Sequence, residues 1–150
     1  MLTVKQYIPQ NSNPMQEKFI NYIMERGKKS IARRIFKDTL RIMAERGAKN
    51  PEKAFEMAIA NVKPTLEVRP KRIAGAVYQI PIEVTPSRQQ MLAFRWILNS
   101  AKAKKGKAMA DRLAGELMEA TEGLGNAMKK KEESHKMAAA NKAFAHFARY

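Results

Sequence analysis

A mainly α chain, six helices with one protruding two-stranded antiparallel β hairpin, is predicted by three observations. Asn-Pro or Thr-Pro pairs at 13–14, 50–51 and 85–86 open stretches whose apolar residues recur at helical spacing. One stretch, "VRPKRIAGAVYQIPIEV" from Val68 to Val84, alternates with period two instead. Further amphipathic stretches then run to the C-terminus. At 150 residues, 45% of them hydrophobic, the chain reads as one domain, 1–150, long enough to bury roughly 70% of its unfolded surface.

The elements follow in order. Asn13 and Pro14 supply a cap and a first-turn proline for "MQEKFINYIMERG", where Phe19, Tyr22, Ile23 and Arg26 share helical spacing before Gly27 ends the run. Ser30 can cap "IARRIFKDTLRIMAERG". There Ile31, Ala32, Ile35, Phe36, Leu40, Ile42 and Met43 fall on one half of the wheel, and Arg33, Arg34, Lys37 and Arg41 on the other. Asn50 and Pro51 open "EKAFEMAIANV", which must end near Pro64.

The hairpin spans about 66–84. Leu66 and Val68 alternate with Glu67 and Arg69, while Tyr78, Ile80, Ile82 and Val84 alternate with Gln79, Pro81 and Glu83. Ala74 and Gly75 between them mark the turn without fixing its type. Pro70 and Pro81 cannot donate to a ladder, so both strands are edges. A lone two-stranded ribbon is marginal in water; it should rest on the helices at its base and gain further order from a partner.

Thr85 and Pro86 start a helix through "SRQQMLAFRWILNSAKAKKG", apolar around most of its circumference and therefore central, with a narrow polar stripe of Arg88, Arg95, Asn99 and Lys102. Another amphipathic helix, "KAMADRLAGELMEATEG", ends at Gly123 or Gly125, and Asn126 can cap a last one through Tyr150. Its apolar face collects Met137, Ala140, Phe144, Phe147 and Ala148; the other collects Lys131, His135, Lys142, His146 and Arg149.

Charge narrows the function. The formal net charge is +15, and segments 1–65, 66–88 and 89–150 carry +7, +2 and +6. The whole body is basic rather than a tail, so a polyanion is expected to neutralise it, nucleic acid before an anionic membrane. Cysteine is absent, which excludes disulfides and thiolate zinc sites. No apolar run approaches the roughly 20 residues a bilayer span needs, and the N-terminus lacks a signal-peptide core and an Arg-rich transit segment; a soluble chain, complete as written, is expected.

Catalytic chemistry finds no footing. The serines sit at caps or beside lysines, "GLG" is a turn, and "KKG" at 104–106 lacks the spacing of a phosphate loop. The two histidines stand eleven positions apart with no third ligand at usual spacing, so no metal and no cofactor is expected. Phe19, Phe36, Phe94 and Trp96 sit at core spacing. Tyr78 can stack or dock the ribbon, or simply touch a neighbouring helix; spacing does not choose. A DNA-bending module would need wedge residues at the ribbon tip, where Ala74 and Gly75 supply none, and a membrane-surface protein would need an amphipathic helix free of core duty.

The segments "MERGKKSIARRI", "ANVKPTLEVRPKRIAGAVYQIPIEVTPSRQQMLAFRWIL" and "SHKMAAANKAFAHF" resemble bacterial-type ribosomal protein seven of the small subunit, over nearly the whole chain from Phe19 to Phe147. The resemblance implies a non-catalytic protein that binds the 3′ major domain of small-subunit ribosomal RNA and nucleates assembly of the subunit head. The hairpin and last helix would lie near exit-site transfer RNA and the messenger RNA exit path, beside other head and platform proteins. It implies rRNA contacts at Lys28, Lys29, Arg33, Arg34, Arg69, Lys71, Arg72, Gly75, Arg88 and Arg95, to which the basic stripes add Lys37, Arg41 and Lys102. Tyr78, Lys131, His135, Lys142 and His146 would face the exit-site side. The protein would reside in a ribosome, in bacterial cytoplasm or an organelle, without membrane contact. Family members often begin with a short Arg-rich arm, whereas this chain begins "MLTVKQYIPQNSNP", and it closes on "FARY"; contacts made by either end should differ.

Overall fold

The computed structural model describes residues 7–149; most of the divergent N-terminal arm and Tyr150 lie outside it. The elements are α1 (Pro14–Ile23), α2 (Lys29–Glu45), α3 (Pro51–Val62), β1 (Leu66–Ile73), β2 (Ala76–Glu83), α4 (Pro86–Ala103), α5 (Met109–Thr121), α6 (Asn126–Ala140) and a 3-10 helix (Lys142–Arg149). The mainly α class with a single antiparallel hairpin is thus as the sequence predicts.

Each of the three proline pairs begins a helix. Asn13 Oδ1 accepts from the Gln16 amide at 2.9 Å and Asn50 Oδ1 from the Lys53 amide at 3.2 Å, satisfying donors that the first turn leaves orphaned. Thr85 holds the third cap position without a side-chain bond. Two boundaries differ from expectation. α1 stops at Ile23, and Arg26 and Gly27 instead form a turn at φ +53° and +77°. α2 starts at Lys29, so Ser30 lies inside the helix and caps nothing.

Asn126 is likewise not a cap but the first residue of α6, behind Gly125. The acceptor comes from far away: Glu116 of α5, fully buried, takes the Ala127 amide at 3.0 Å. A carboxylate there also meets the positive end of the helix dipole, and Lys104 Nζ at 3.1 Å balances its charge. Gly125, at φ +95°, is required twice over, since a Cβ would stand 2.8 Å from Glu119 Oε2 and 3.1 Å from Glu116 Oε1.

The core is an aromatic cluster wrapped in aliphatic side chains. Phe19 packs on Phe55, Phe94 and Phe36 with ring centroids 4.9, 5.0 and 5.7 Å apart, at tilted or edge geometry. All four rings are buried, and Trp96 packs against the core while only partly covered. α4 meets α1, α3, α5 and α6, and α5 meets α2, α3, α4 and α6, so the apolar circumference of α4 is explained by neighbours on several sides. Within α2, Thr39 is buried and returns its hydroxyl to the Ile35 carbonyl at 2.7 Å, whereas Ile31 stays about half exposed.

The hairpin pairs Leu66 with Glu83 through to Ile73 with Ala76, leaving Ala74 and Gly75 as a two-residue turn. Their φ values, +50° and +82°, are those of a type I′ turn, whose twist matches the strands. This register puts Glu67, Arg69, Lys71, Ile80, Ile82 and Tyr78 on one face. The inward side of β1 is therefore not Leu66 and Val68: Glu67 is buried, and Leu66 lies exposed opposite Glu83. Arg88 makes that burial tolerable, its Nε and Nη2 donating to the Glu67 carboxylate at 3.0 and 3.3 Å.

The last helix is the largest departure. It ends at Ala140, not Tyr150. Asn141 closes it, donating Nδ2 to the Met137 carbonyl at 2.8 Å, and the chain tightens into the 3-10 helix. Ala138, not Met137 or Ala140, is the residue buried at this end.

Candidate nucleic-acid interface

The basic residues read as one population from the sequence fall into two. One set is turned inward. Arg33 lies on the charged half of α2, yet its guanidinium grips Glu17 of α1 with two bonds, Nη2 to Oε2 at 2.9 Å. Glu17 is fully buried, and Lys29 Nζ stands 4.0 Å away. The Arg33 hydrogen bonds hold the Glu17 carboxyl below its ordinary value against the upward push of burial, and the same pairing raises Arg33.

Lys71, Lys131 and His135 are also engaged within the chain. Lys71 Nζ donates to the Phe147 carbonyl at 3.1 Å and Lys131 Nζ to the Asn61 carbonyl at 2.7 Å. His135 Nε2 accepts the Thr65 amide at 3.1 Å, and Ser134 Oγ donates to the Leu66 carbonyl at 3.1 Å. The bonds of Lys71, Ser134 and His135 staple the end of the chain to the root and shaft of the hairpin, while that of Lys131 ties α6 to the end of α3.

Because His135 must be neutral at Nε2 to accept that amide, its protonation would turn an acceptor into a donor facing a donor. Burial, reinforced by the Lys131 charge, pushes its pKa below 6.5. Its contribution to stability is therefore present above about 6.5 and is lost as the pH falls toward the lowered folded value. A chemical-shift titration should place the imidazole midpoint below 6.5, and His135→Ala should flatten the change in stability across that window.

Tyr78 rests on the 3-10 helix, so docking of the ribbon and contact with a neighbouring helix are one and the same arrangement here. Its ring lies 5.1 Å from Phe144 and 5.4 Å from Phe147. A 3-10 helix has three residues per turn, so positions i and i+3 eclipse; Phe144 and Phe147 accordingly lie parallel, 6.3 Å apart and inclined by 17°. The three-residue spacing of these two phenylalanines was the available signal for this partner of Tyr78. The sequence reading also missed Arg112, whose Nη1 donates to the Lys104 and Lys102 carbonyls at 2.7 and 3.2 Å and closes the end of α4.

The second set faces outward. Lys28, Arg34, Lys37, Arg72, Arg95 and Lys142 are exposed and make no ion pair among the described residues. They come from the α1–α2 turn, α2, the hairpin, α4 and the 3-10 helix. Arg69, Arg41 and Lys102 are exposed but have acids nearby: Glu67 at 3.7 Å, Glu45 at 2.8 Å and Glu25 at 3.3 Å. The pairs of Arg41 and Lys102, exposed on both sides, are worth little and exchange readily for a stronger anion, whereas Arg69 only shares the buried carboxylate that Arg88 already holds. Gly75 sits exposed at the hairpin tip, and His146 is exposed with Nδ1 3.1 Å from the Ala143 carbonyl. The two histidines do not share a helical face, because the change to 3-10 winding lies between them. Among the described residues no cluster of His, Asp and Glu could hold a metal ion, and no helix is long and apolar enough to cross a membrane.

A helical body with a docked hairpin, unpaired cations on several elements, and three of its acids, Glu17, Glu67 and Glu116, buried against basic partners is the build of a polyanion-binding protein. A family profile described as "Ribosomal protein S7p/S5e" matches residues 3–142. The chain is 50% identical over 139 residues to the small ribosomal subunit protein uS7 of Solidesulfovibrio magneticus, covering 93% of this chain and 89% of the relative. It is 52% identical over 133 residues to that of Chloroflexus aurantiacus, covering 89% and 85%. With that of Aromatoleum aromaticum it shares 52% over 130 residues, covering 87% and 83%. The chain belongs to the ribosomal protein S7 family, and with that it is a structural protein, not an enzyme.

Proposed function

We propose that this chain, acting as a single RNA-binding domain, is a structural component of the small ribosomal subunit that binds the 3′ major domain of its RNA directly and nucleates assembly of the head. The observation that carries this reading is the outward set of cations on five elements of a member of the S7 family. Lys28, Arg34, Lys37, Arg72 and Arg95, joined by the half-exposed Lys29 beside Glu17, act on phosphates and on the shape of the RNA, because the major groove of duplex RNA is too deep and narrow for side chains to read. Arg41 and Lys102 join them by exchanging exposed acids for phosphate, and Arg69 by turning from Glu67, which Arg88 keeps. Arg33, Lys71 and Arg88 serve the same surface indirectly, by fixing the elements that display it. The hairpin, with Gly75 at its tip, and the end of the chain, with Lys142 and His146, face exit-site transfer RNA and departing messenger RNA, beside head and platform proteins. The chain resides in the ribosome, of a bacterium or of an organelle.

The test is binding of the purified protein to a fragment of the 3′ major domain, titrated across salt beside an unrelated RNA of equal length. A preference for the fragment that survives moderate salt is expected. Equal, steeply salt-sensitive binding to both would overturn the reading, since charge alone produces that behaviour.

A further inference from the structure

Ile31 belongs to the apolar half of α2 by sequence, yet it is 48% exposed. It forms one wall of an open notch of about 500 Å³, whose aliphatic floor is Ile23, Met24, Ile35 and Met109. The rim carries Arg26, Lys28, Lys102 and Arg112 against a single acid, Glu25. Glu25 is taken by Lys102 at 3.3 Å, and Arg112 is committed to the end of α4. Arg26 and Lys28 remain exposed, with no ion pair among the described residues. The turn that presents them holds Arg26 at φ +53°, a left-handed conformation that a non-glycine residue adopts at some cost.

An aliphatic hollow covered by water gains free energy when an apolar body displaces that water. Cations on the rim repel a cationic occupant and favour one that carries negative charge beside its apolar part. A nucleotide out of its stack has that chemistry, a flat and largely apolar base bearing a phosphate at its edge. We infer that the notch receives one unstacked nucleotide of the bound RNA, its base against Ile31 and the aliphatic floor and its phosphates toward Lys28 and Arg26. This rests on the RNA-binding reading above and adds a base contact to it. The recognised position lies in a loop, bulge or junction, where a base is free to leave the helix.

Ile31→Ala, Ile31→Val and Lys28→Ala are compared with the unaltered protein on the 3′ major domain fragment. The same proteins are then tested on versions of it carrying one abasic nucleotide at each unpaired position. Ile31 is half exposed in the first turn of α2 and alanine favours helix, so thermal melting of the alanine variant should match the unaltered protein. Ile31→Ala should weaken binding roughly tenfold, the factor expected when about half a side chain of apolar contact is lost, without altering the salt dependence. Ile31→Val should do the same to a smaller degree. Lys28→Ala should instead reduce the salt slope by about 0.7 to 0.9.

One abasic position should weaken the unaltered protein by a similar factor and erase its advantage over Ile31→Ala. If the protein prefers the fragment but Ile31→Ala binds equally well, or if no abasic position couples to Ile31, the nucleotide is overturned as occupant, and an acidic peptide with an apolar side chain becomes the better fit. Absence of any preference for the fragment would overturn the RNA-binding reading and this one together.

Discussion

Arg33→Ala should destabilise the folded protein by about 3 kcal/mol, the cost of leaving a buried carboxylate without its partner. Glu17 has no exposed surface, and in the variant its nearest remaining cation is Lys29 at 4.0 Å. The pH dependence distinguishes this from lost packing. In the unaltered protein the Glu17 carboxyl is held below its ordinary value of 4.5 chiefly by Arg33. Its stabilisation is present above about 4.5 and is lost as the pH falls through the lowered folded value. In Arg33→Ala burial is opposed only by the smaller pull of Ser12 and Lys29, so the Glu17 carboxyl moves upward and the variant loses less stability on acidification than the unaltered protein. The gap between the two proteins should be widest near neutrality and close in acid. Urea unfolding at a series of pH values measures it, and a gap independent of pH would contradict the pairing. Replacing both partners with apolar residues of similar size, Glu17→Met with Arg33→Leu, should recover most of the loss.

The second large effect concerns the hairpin. Its inner face is held by Tyr78 against Phe144 and Phe147, by the bond from Lys71 to the Phe147 carbonyl, and at the root by His135 and Ser134. Without these contacts the ribbon is the isolated two-stranded pair that water does not support. Phe144→Ala with Phe147→Ala should cost the hairpin about 2 kcal/mol of local stability, since partly exposed rings contribute less than the 3–5 kcal/mol of a core aromatic. Hydrogen exchange of amides in β1 and β2 should accelerate by roughly 30-fold while amides of α4 and α5 keep their protection. Equal acceleration everywhere would mean that the end of the chain supports the global fold instead.

Local chemistry made most of the fold legible. Asn13-Pro14, Asn50-Pro51 and Thr85-Pro86 announce their helices because cap and first-turn proline act within four residues, and the alternation around Ala74-Gly75 announces the ribbon. What stayed hidden depends on residues far apart in sequence. Glu116 replaces Asn126 as the acceptor at the start of α6 from 11 residues away. The 3-10 ending forms where the chain meets the hairpin, and nothing in "NKAFAHFAR" distinguishes it from another two turns of α-helix.

The candidate site follows the same division. Helical wheels put Arg33, Arg34 and Lys37 on one side of α2, and the structure agrees that Arg34 and Lys37 are exposed. Arg33 is withdrawn by an acid 16 residues earlier, Arg88 by one 21 residues earlier, and Lys71 by a carbonyl 76 residues later. Periodicity reports the side of an element, not the partner that waits there. Side chains at the edge of a stripe, such as Arg33, are therefore the ones a sequence reading assigns to solvent and the fold claims for itself.

The cations of this chain divide into outward ones for RNA and inward ones for the fold. The most direct measurement of that division is the salt dependence of binding to the 3′ major domain fragment for two triple variants. One is Arg34→Ala, Arg72→Ala and Arg95→Ala; the other is Lys71→Ala, Arg88→Ala and Lys131→Ala, assayed where both are folded. The outward triple should lower the slope by about 2 to 3, at 0.7 to 0.9 for each lost phosphate contact, with little change in stability. The inward triple should lower stability and leave the slope nearly unchanged. Equal reductions in slope from the two sets would contradict the division and return every cation to a single, undifferentiated RNA-binding surface.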